Sequence, residues 1–249
     1  MLILLPPSET KRPGGDAAPL DIEGLSFPSL GPQRQIVVDA LQVLSLDEDI
    51  AARVLKLGAT QRHEIAVNTA LRTAPTMPAI DRYTGVLFDA LDAASLSGVE
   101  RRWLGAHAAI HSAPFGPIGA LDRIPAYRLG ASASLPGVAP LRRIWADAVT
   151  AALVAAAPRF VLDLRSEAYA VLGPVPNGVA SAYVRVVSES EGGAVRALNH
   201  FNKHAKGALV RRLAETRPRI GSAAALRRWA DDTGVRLRPA PTGEWELVV

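Results

Sequence analysis

The segment His200-Phe201-Asn202-Lys203-His204-Ala205-Lys206-Gly207 holds the densest run of chemically capable side chains in the sequence. Asn202 is a good helix N-cap residue. The reading is therefore a helix starting there, with Lys203, His204 and Lys206 in its first turns. Cations at that end oppose the helix macrodipole, at about 0.3–1 kcal/mol each when exposed. Free backbone N–H groups beside two ammonium groups make a site for phosphate or another anion. The plainer alternative is a later helix start, with both lysines in a solvated loop.

Polar residues also follow two apolar runs. Ser8, Glu9, Thr10 and Lys11 come after residues 1–5, and Asp163, Arg165, Ser166, Glu167 and Tyr169 lie at or just past the end of residues 159–164. If those runs are parallel neighbouring strands, both clusters open at one end of a sheet, where α/β proteins build ligand sites. Tyr83, Thr84, Tyr127 and Arg128 complete such a pocket. In an enzyme, Glu167 or Asp163 would serve as acid or base, with Ser8 as a further catalytic candidate. Singly, each has a blander role: Ser166 as an N-cap, Glu167 as a first-turn partner of the dipole, Arg128 in a surface ion pair. Four of the five histidines form the pairs His107/His111 and His200/His204, four apart. That spacing can hold a metal on one helical face. No cysteine supports them, nearby carboxylates are sparse, and the first pair falls in a strand-like segment. No metal site and no cofactor is expected. P-loop, dinucleotide-binding, HExxH and GxSxG motifs are all missing from the sequence.

The elements that must position these groups follow from periodicity. Residues 1–5 (MLILL) read as a buried strand, cut off by Pro6-Pro7. Residues 33–44 place Ile36, Val37, Ala40, Leu41 and Leu44 on one helical face. Residues 49–71 read as two short helices joined at Lys56-Leu57-Gly58-Ala59-Thr60, with Gly58 as helix stop and Thr60 as the next N-cap. This is the shape of a helix-hairpin-helix, though a plain αα-hairpin gives the same pattern. Residues 97–104 form a helix with capping-box spacing at Ser97 and Glu100, and 106–111 a strand. Residues 112–140, with five prolines and four glycines, are expected to be irregular. A helix at 141–156, a strand at 159–164, and a hairpin of 181–188 with 194–199 across Glu191-Gly192-Gly193 come next. Helices at 201–215 and 222–230 and a strand at 244–249 finish the chain. The expected fold is mixed α/β (α+β), one compact domain over 1–249 around a central mixed sheet.

Composition bounds the function. With 49% apolar and 21% charged residues, the chain can build a core and is not disordered. Aromatics are only 5%, so Ala, Val and Leu must fill that core. The best apolar stretch, 148–157, is ten residues long and interrupted by Thr150, short of the roughly 18 that a membrane span needs. The N-terminus lacks a basic flank and is cut by Pro6-Pro7, unlike a secretory leader. Zero cysteines exclude disulfides, thiolate zinc sites, cysteine-ligated clusters and a cysteine nucleophile. A cytoplasmic protein with no membrane partner is expected. Net charge is +4, and residues 200–249 hold ten Lys/Arg against five Asp/Glu. Such a basic segment is either a footprint for nucleic acid or an arginine-rich solvated face.

Five segments in order, MLILLPPSETKRPGG, APTMPAIDRYTGVLFDAL, IPAYRL, LDLRSEAY and HFNKHAKG, together make the sequence resemble the YaaA family of peroxide-stress proteins along nearly its whole length. The family's basic run maps onto Lys203, His204, Ala205, Lys206 and Gly207, with His204 where a lysine is common. Its other motifs map onto Tyr83-Thr84-Gly85, Tyr127-Arg128-Leu129, and Asp163, Leu164, Ser166 and Tyr169. A second departure is the stretch 111–121, where Pro114, Pro117 and Gly119 replace more regular apolar residues. The resemblance implies a mixed α/β fold with a helix-hairpin-helix-like element and a positively charged cleft. It also implies a cytosolic protein that binds DNA and limits damage under hydrogen peroxide, partly by lowering free iron. Three functions stay open. In a DNA-binding stress protein, Lys203, His204, Lys206, Arg128, Arg211, Arg212 and Lys11 contact phosphates with little base specificity. In an enzyme for a phosphate-bearing or nucleotide-like small molecule, Ser8, Arg128, Glu167 and Lys203 share a pocket, flanked by Tyr83, Thr84, Arg165, Ser166, Tyr169 and Asn202. In an iron-sequestering protein, His, Asp and Glu converge on one ion.

Overall fold

The first five residues already show how the sheet is built. Strand β1 (Leu2–Leu5) is apolar at every position, and Ile3, Leu4 and Leu5 are fully buried. An uninterrupted apolar strand needs both faces covered, which is the habit of parallel sheets. In the computed structural model, which describes residues 1–189, 195–197 and 199–249 and the side chains of 1–188 and 202–249, β1 is indeed central and parallel to both neighbours.

The other strands are β2 (Met77–Pro78), β3 (Ala108–Ser112), β4 (Gly116–Gly119), β5 (Arg123–Ile124), β6 (Val161–Asp163), β7 (Ser181–Glu189), β8 (Val195–Ala197), β9 (Leu237–Pro239) and β10 (Trp245–Val248). The main sheet runs β4-β3-β1-β6-β7-β10-β9, with β8 also on β7, and β2 pairs separately with β5. Pairings β3–β1, β1–β6, β6–β7 and β7–β10 are parallel; β4, β8 and β9 attach antiparallel. The fold is mixed α/β, as the sequence indicated. The β7–β8 hairpin was also anticipated, but its expected turn at Glu191-Gly192-Gly193 lies outside the described residues.

The helices are α1 (Gly31–Leu44), α2 (Glu48–Val54), α3 (Ile65–Thr69), α4 (Ala79–Arg82), α5 (Val86–Leu91), α6 (Gly98–His107), α7 (Leu141–Ala156), α8 (Glu167–Ala170), α9 (Asn199–Thr216) and α10 (Ala223–Thr233). Ser97 and Glu100 close the expected capping box at the start of α6, and the Ser222 hydroxyl caps α10 by accepting from the Ala225 N–H. Among the described residues, no helix is long and apolar enough to cross a membrane.

Four expectations are corrected. The buried stripe of α1 is Arg34, Val37, Val38, Leu41 and Leu44, with Ile36 turned outward. The span expected to be irregular contains β4, where Pro117 sits opposite His111; a proline is tolerated because β4 is an edge strand. Residues 49–71 do not form two joined α-helices. The left-handed residue after α2 is Lys56 (φ 56°) rather than Gly58, and a 3-10 helix, Ala59–Glu64, stands between the turn and the short α3. Gly58, not Thr60, caps that segment, its N–H donating to the Gln61 side-chain oxygen. Finally, α9 begins at Asn199, so Asn202 is inside the helix and caps nothing. The first-turn anion site expected at Lys203 and His204 therefore lacks its free N–H groups.

Helix α9 lies directly on α5. A Cβ placed on Gly207 would stand 2.1 Å from the Leu87 carbonyl oxygen and 2.9 Å from the Ala90 methyl. The two helices run in the same direction, since Arg211, one turn further on, reaches the Leu91 and Asp92 carbonyls. The glycine that ends the Lys203–Gly207 motif is thus a packing residue. Replacing it with alanine gains up to about 1 kcal/mol of helix propensity. It also forces two backbones apart, which typically costs about 1–3 kcal/mol. Gly207→Ala is expected to lower the melting temperature by several degrees; an unchanged melting curve would mean the helices have room to spare.

Candidate functional site

The parallel register puts Leu4 opposite Asp163, so the segments leaving β1 and β6 emerge at one end of the sheet. Two polar clusters form there, one on each chain exit.

The first surrounds Lys11. Its ammonium donates to the Ser8 carbonyl (3.0 Å) and the Glu9 carbonyl (3.2 Å). It lies 4.0 Å from the centre of the Tyr127 ring and 5.5 Å from that of Tyr83. Burial, with the nearby Arg128 guanidinium second, brings the Lys11 amine down to about 7. The Tyr83 and Tyr127 hydroxyls are 2.8 Å apart in the core, and burial raises both well above the usual phenol range. They are neutral phenols at any physiological pH. Arg128 reaches Glu64 at 3.2 Å and Glu9 at 3.3 Å, and its backbone N–H is fixed by the Asn68 side chain at 2.7 Å. Lys11 and Arg128 line one small cleft, of about 140 Å³, with Glu9, Lys56 and Ser132. Ser8 and Thr10 stand beside it, hydroxyl to hydroxyl at 3.2 Å, and Gly85 (φ 91°) approaches both so closely that a Cβ would be within 3.3 Å of each. Thr84 accepts from the Thr10 hydroxyl through its carbonyl.

The second cluster follows β6. Asp163 receives Arg165 Nε at 2.9 Å and Nη2 at 2.6 Å, and Arg165 Nη1 donates to His111 Nδ1 and to the Gly173 carbonyl, both at 2.8 Å. Burial first and Arg165 second hold His111 well below the usual imidazole range, so it is neutral. Its Nε2 has no hydrogen-bond partner among the described residues. Beyond this core, Arg185 binds Glu167 at 2.8 Å and also Glu244, and stacks over Tyr183. Lys206 also lies over that ring, its Nζ 5.9 Å from the Tyr183 centroid. Lys206 is only 6% exposed, and burial lowers it to about 8. Among the described residues it makes no hydrogen bond or ion pair.

The residues singled out from the sequence therefore divide. Ser8, Lys11, Tyr83, Thr84, Tyr127 and Arg128 come together, and Asp163, Arg165, Glu167 and Lys206 border the second cluster. Asp163 has both oxygens on Arg165, which makes it an anchor for that arginine. Ser166 precedes α8 but makes no side-chain cap. Tyr169 packs 6.1 Å from the His111 ring. Lys203 and His204 are exposed. Arg211 is a clamp: it donates to Glu215, the Leu91 and Asp92 carbonyls and the Ser95 hydroxyl. Arg212 stands 3.9 Å from Glu215. His107 is stacked on Trp103 and bonded to its carbonyl, facing away from any shared site with His111. The His200 side chain lies outside the described residues. No group of three or more His, Asp or Glu among the described residues is arranged to hold a metal. Sequence reasoning missed Glu64, Lys56 and Arg185 as site residues. Arg185 left a signal by alternating with Tyr183 on one face of β7, and Lys56 stood at the joint of the expected helix-hairpin-helix.

The family model described as peroxide stress protein YaaA matches residues 1–240. The chain belongs to this family. It is 46% identical to a UPF0246 protein of Corynebacterium efficiens over 228 residues, covering 90% of this chain and 89% of that one. A UPF0246 protein of Corynebacterium glutamicum is 47% identical over 220 residues, covering 86% and 85%. One from Streptomyces coelicolor is 40% identical over 218 residues, covering 87% and 84%. The YaaA segments noted in the sequence are the ones that build the two clusters: the β1 exit, the Tyr83–Gly85 approach, Tyr127-Arg128, the β6 exit and the middle of α9.

An unpaired ammonium in the core costs stability. Lys206→Met keeps the stem and removes the charge, and is expected to stabilise the protein by about 1–3 kcal/mol at pH 7. The sign with pH is fixed by the lowered value. Below about pH 8 the folded lysine is charged and the full cost is present. Between there and about 10.4 the unfolded chain holds a proton that the folded one has lost, so native stability rises with pH and the advantage of the methionine shrinks. Urea titrations at pH 7 and pH 10 measure both effects. A methionine variant no more stable than the native protein would show that Lys206 has a partner when folded.

Proposed function

We propose that this chain acts in the cytoplasm in the response to peroxide, the role its family's description names, by binding the phosphate backbone of DNA and limiting iron-dependent damage there. One observation carries the DNA reading. The turn from Lys56 through the Gly58–His63 segment is largely exposed, and Lys56 is at once the left-handed tip of that turn and a wall of the cleft holding Lys11 and Arg128. The first N–H groups of the 3-10 helix, an exposed lysine and a lysine–arginine pair behind it suit a passing phosphate backbone. Lys203 adds exposed cationic surface, with the exposed His204 beside it, at the end of α9 that lies beside the start of α5, where Gly85 meets Ser8 and Thr10. Little base specificity is expected from such contacts.

A second reading is favoured by depth. Lys11 is withdrawn from the surface a duplex can touch, and a desolvated titratable group in a cleft points to chemistry on a small molecule. In that reading the chain is an enzyme for a phosphate-bearing or nucleotide-like compound held by Arg128.

The DNA reading is tested by salt. Duplex binding followed by fluorescence anisotropy should weaken steeply with ionic strength. Lys56→Ala combined with Lys203→Ala should flatten the plot of log K against log salt by about one to two units, for two lost phosphate contacts. The same double variant should fail to protect cells that depend on this protein against peroxide. A slope equal to that of the native chain would refute the reading.

A further inference from the structure

The chain contains four lysines against twenty-four arginines. Arginine serves almost everywhere a cation meets a carboxylate or a carbonyl. It cannot be deprotonated in a protein, whereas a desolvated lysine can, and the neutral amine is a nucleophile. Position 11 keeps a lysine in the midst of arginines: Arg12 follows it, and Arg82 and Arg128 both act on its charge.

The geometry at Lys11 is that of a presented amine. Two backbone carbonyls, of Ser8 and Glu9, take up two N–H groups, leaving one further valence on the nitrogen. Two phenol rings flank it and exclude water. The nitrogen borders a cleft of about 140 Å³, room for a compound of a few heavy atoms, given about 30 Å³ per water in the liquid. Arg128 shares that cleft with a side chain 13% exposed, and is held only loosely. Its contacts with Glu9 and Glu64 are 3.3 and 3.2 Å, and the Glu9 side chain is 80% exposed. An exposed ion pair of that kind is worth about 0–1 kcal/mol, so an incoming anion displaces Glu9 at small cost.

We propose that Lys11 is a catalytic nucleophile that forms an imine with a small carbonyl compound, whose own anionic group, a carboxylate or a phosphate, is held by Arg128. The amine lone pair forms the C–N bond as the carbonyl π pair moves to oxygen, which takes up a proton. Nitrogen gives up a proton, and loss of water from the carbinolamine leaves the protonated imine. No oxidant or reductant is consumed. Glu64 and Glu9 are the carboxylates whose charge acts on Lys11, and one of them carries the proton between nitrogen and the departing oxygen. The lowered Lys11 value, about 7, supports this by keeping a large neutral fraction at physiological pH. The inference rests on the second reading above, that the cleft takes a small molecule.

The test uses the full chain and two aldehydes, glyoxylate, which is anionic, and acetaldehyde, which is not. Each is added at pH 7.5, trapped with sodium borohydride and located by peptide mass mapping. Four lysines and the N-terminus are the only amines to compare. The expected result is a carboxymethyl group on Lys11 at a glyoxylate concentration that leaves Lys56 and Lys203 unmodified, with a labelling rate that half-rises near pH 7. Lys11→Arg should remove the adduct. Arg128→Gln should slow glyoxylate labelling at least tenfold while acetaldehyde still labels Lys11 at the native rate. The acetaldehyde arm also reports whether the cleft survives the substitution. Labelling of Lys11 no faster than that of Lys56 and Lys203, or preferential labelling of Lys206, would overturn the nucleophile. Equal slowing of both aldehydes by Arg128→Gln would overturn the anion-holding role. Lys203→Ala, at a position outside the cleft, is expected to weaken DNA binding with glyoxylate capture intact, which separates this proposal from the DNA reading; capture that falls together with DNA binding in that variant would count against it.

Discussion

A guanidinium group taken out of water needs acceptors for its N–H bonds, and three arginines among the described residues are taken out of it completely. Arg34, Arg82 and Arg165 are each 0% exposed. Arg34 donates through Nε and Nη2 to the carbonyls of Ser26, Phe115 and Pro117, its Nη1 having no hydrogen-bond partner among the described residues, and Arg82 donates to those of Arg12, Pro75 and Ile124. Arg165 takes the Asp163 carboxylate, His111 and the Gly173 carbonyl. Most of these acceptors lie in stretches with little ladder or helix to satisfy them. Each buried cation and each otherwise unpaired carbonyl would be costly alone, and they cancel only in this arrangement. Lysine, with three donors on a point charge, could not span segments this far apart in sequence.

The working end of the sheet depends on those clamps. Arg82 grips the carbonyl of Arg12, one residue past Lys11, so the lysine is fixed from behind as well as by its own two carbonyl bonds. Arg165 fixes the β6 exit and, through His111, ties it to β3 two strands away. The His111 ring accepts from Arg165, which requires the neutral form; a proton on that ring would face the guanidinium directly. The same interaction that anchors the loop therefore sets the charge state of the histidine.

Much of this architecture is legible in the sequence because it follows from apolar periodicity. MLILL could only be a strand covered on both faces, and 141–156 could only be an amphipathic helix. Two apolar runs of strand length allowed a parallel pairing of β1 with β6, and hence the joint exit of Ser8–Lys11 and Asp163–Tyr169, but did not dictate it. What periodicity hides is polar burial. Arg34 reads as a surface residue of α1 yet faces inward, because two of its three acceptors are carbonyls more than 80 residues away. Pro117 reads as a strand breaker yet lies in an edge strand that needs no N–H there. Asn202 reads as a cap, but α9 extends one turn further, and the motif's glycine answers to α5 rather than to an anion. Propensity is local; each of these outcomes is decided by a neighbour in space.

The contrast between the two kinds of cation is the deepest regularity of the site. The arginines are spent on structure, in clamps whose hydrogen bonds offset most of the cost of their burial, Arg34 Nη1 being the one donor atom left over among the three buried guanidinium groups. Two of the four lysines are also buried or enclosed, but repaid less: Lys11 by two carbonyls and two rings, Lys206 by no hydrogen bond or ion pair among the described residues. Burial without full repayment selects against a residue unless its protonation or its charge is used. Both amines are pushed toward neutral pH by desolvation, and both stand at the same end of one sheet. A fold that secures its loops with permanently charged groups can place there, at a cost in stability, the few groups whose charge is able to change.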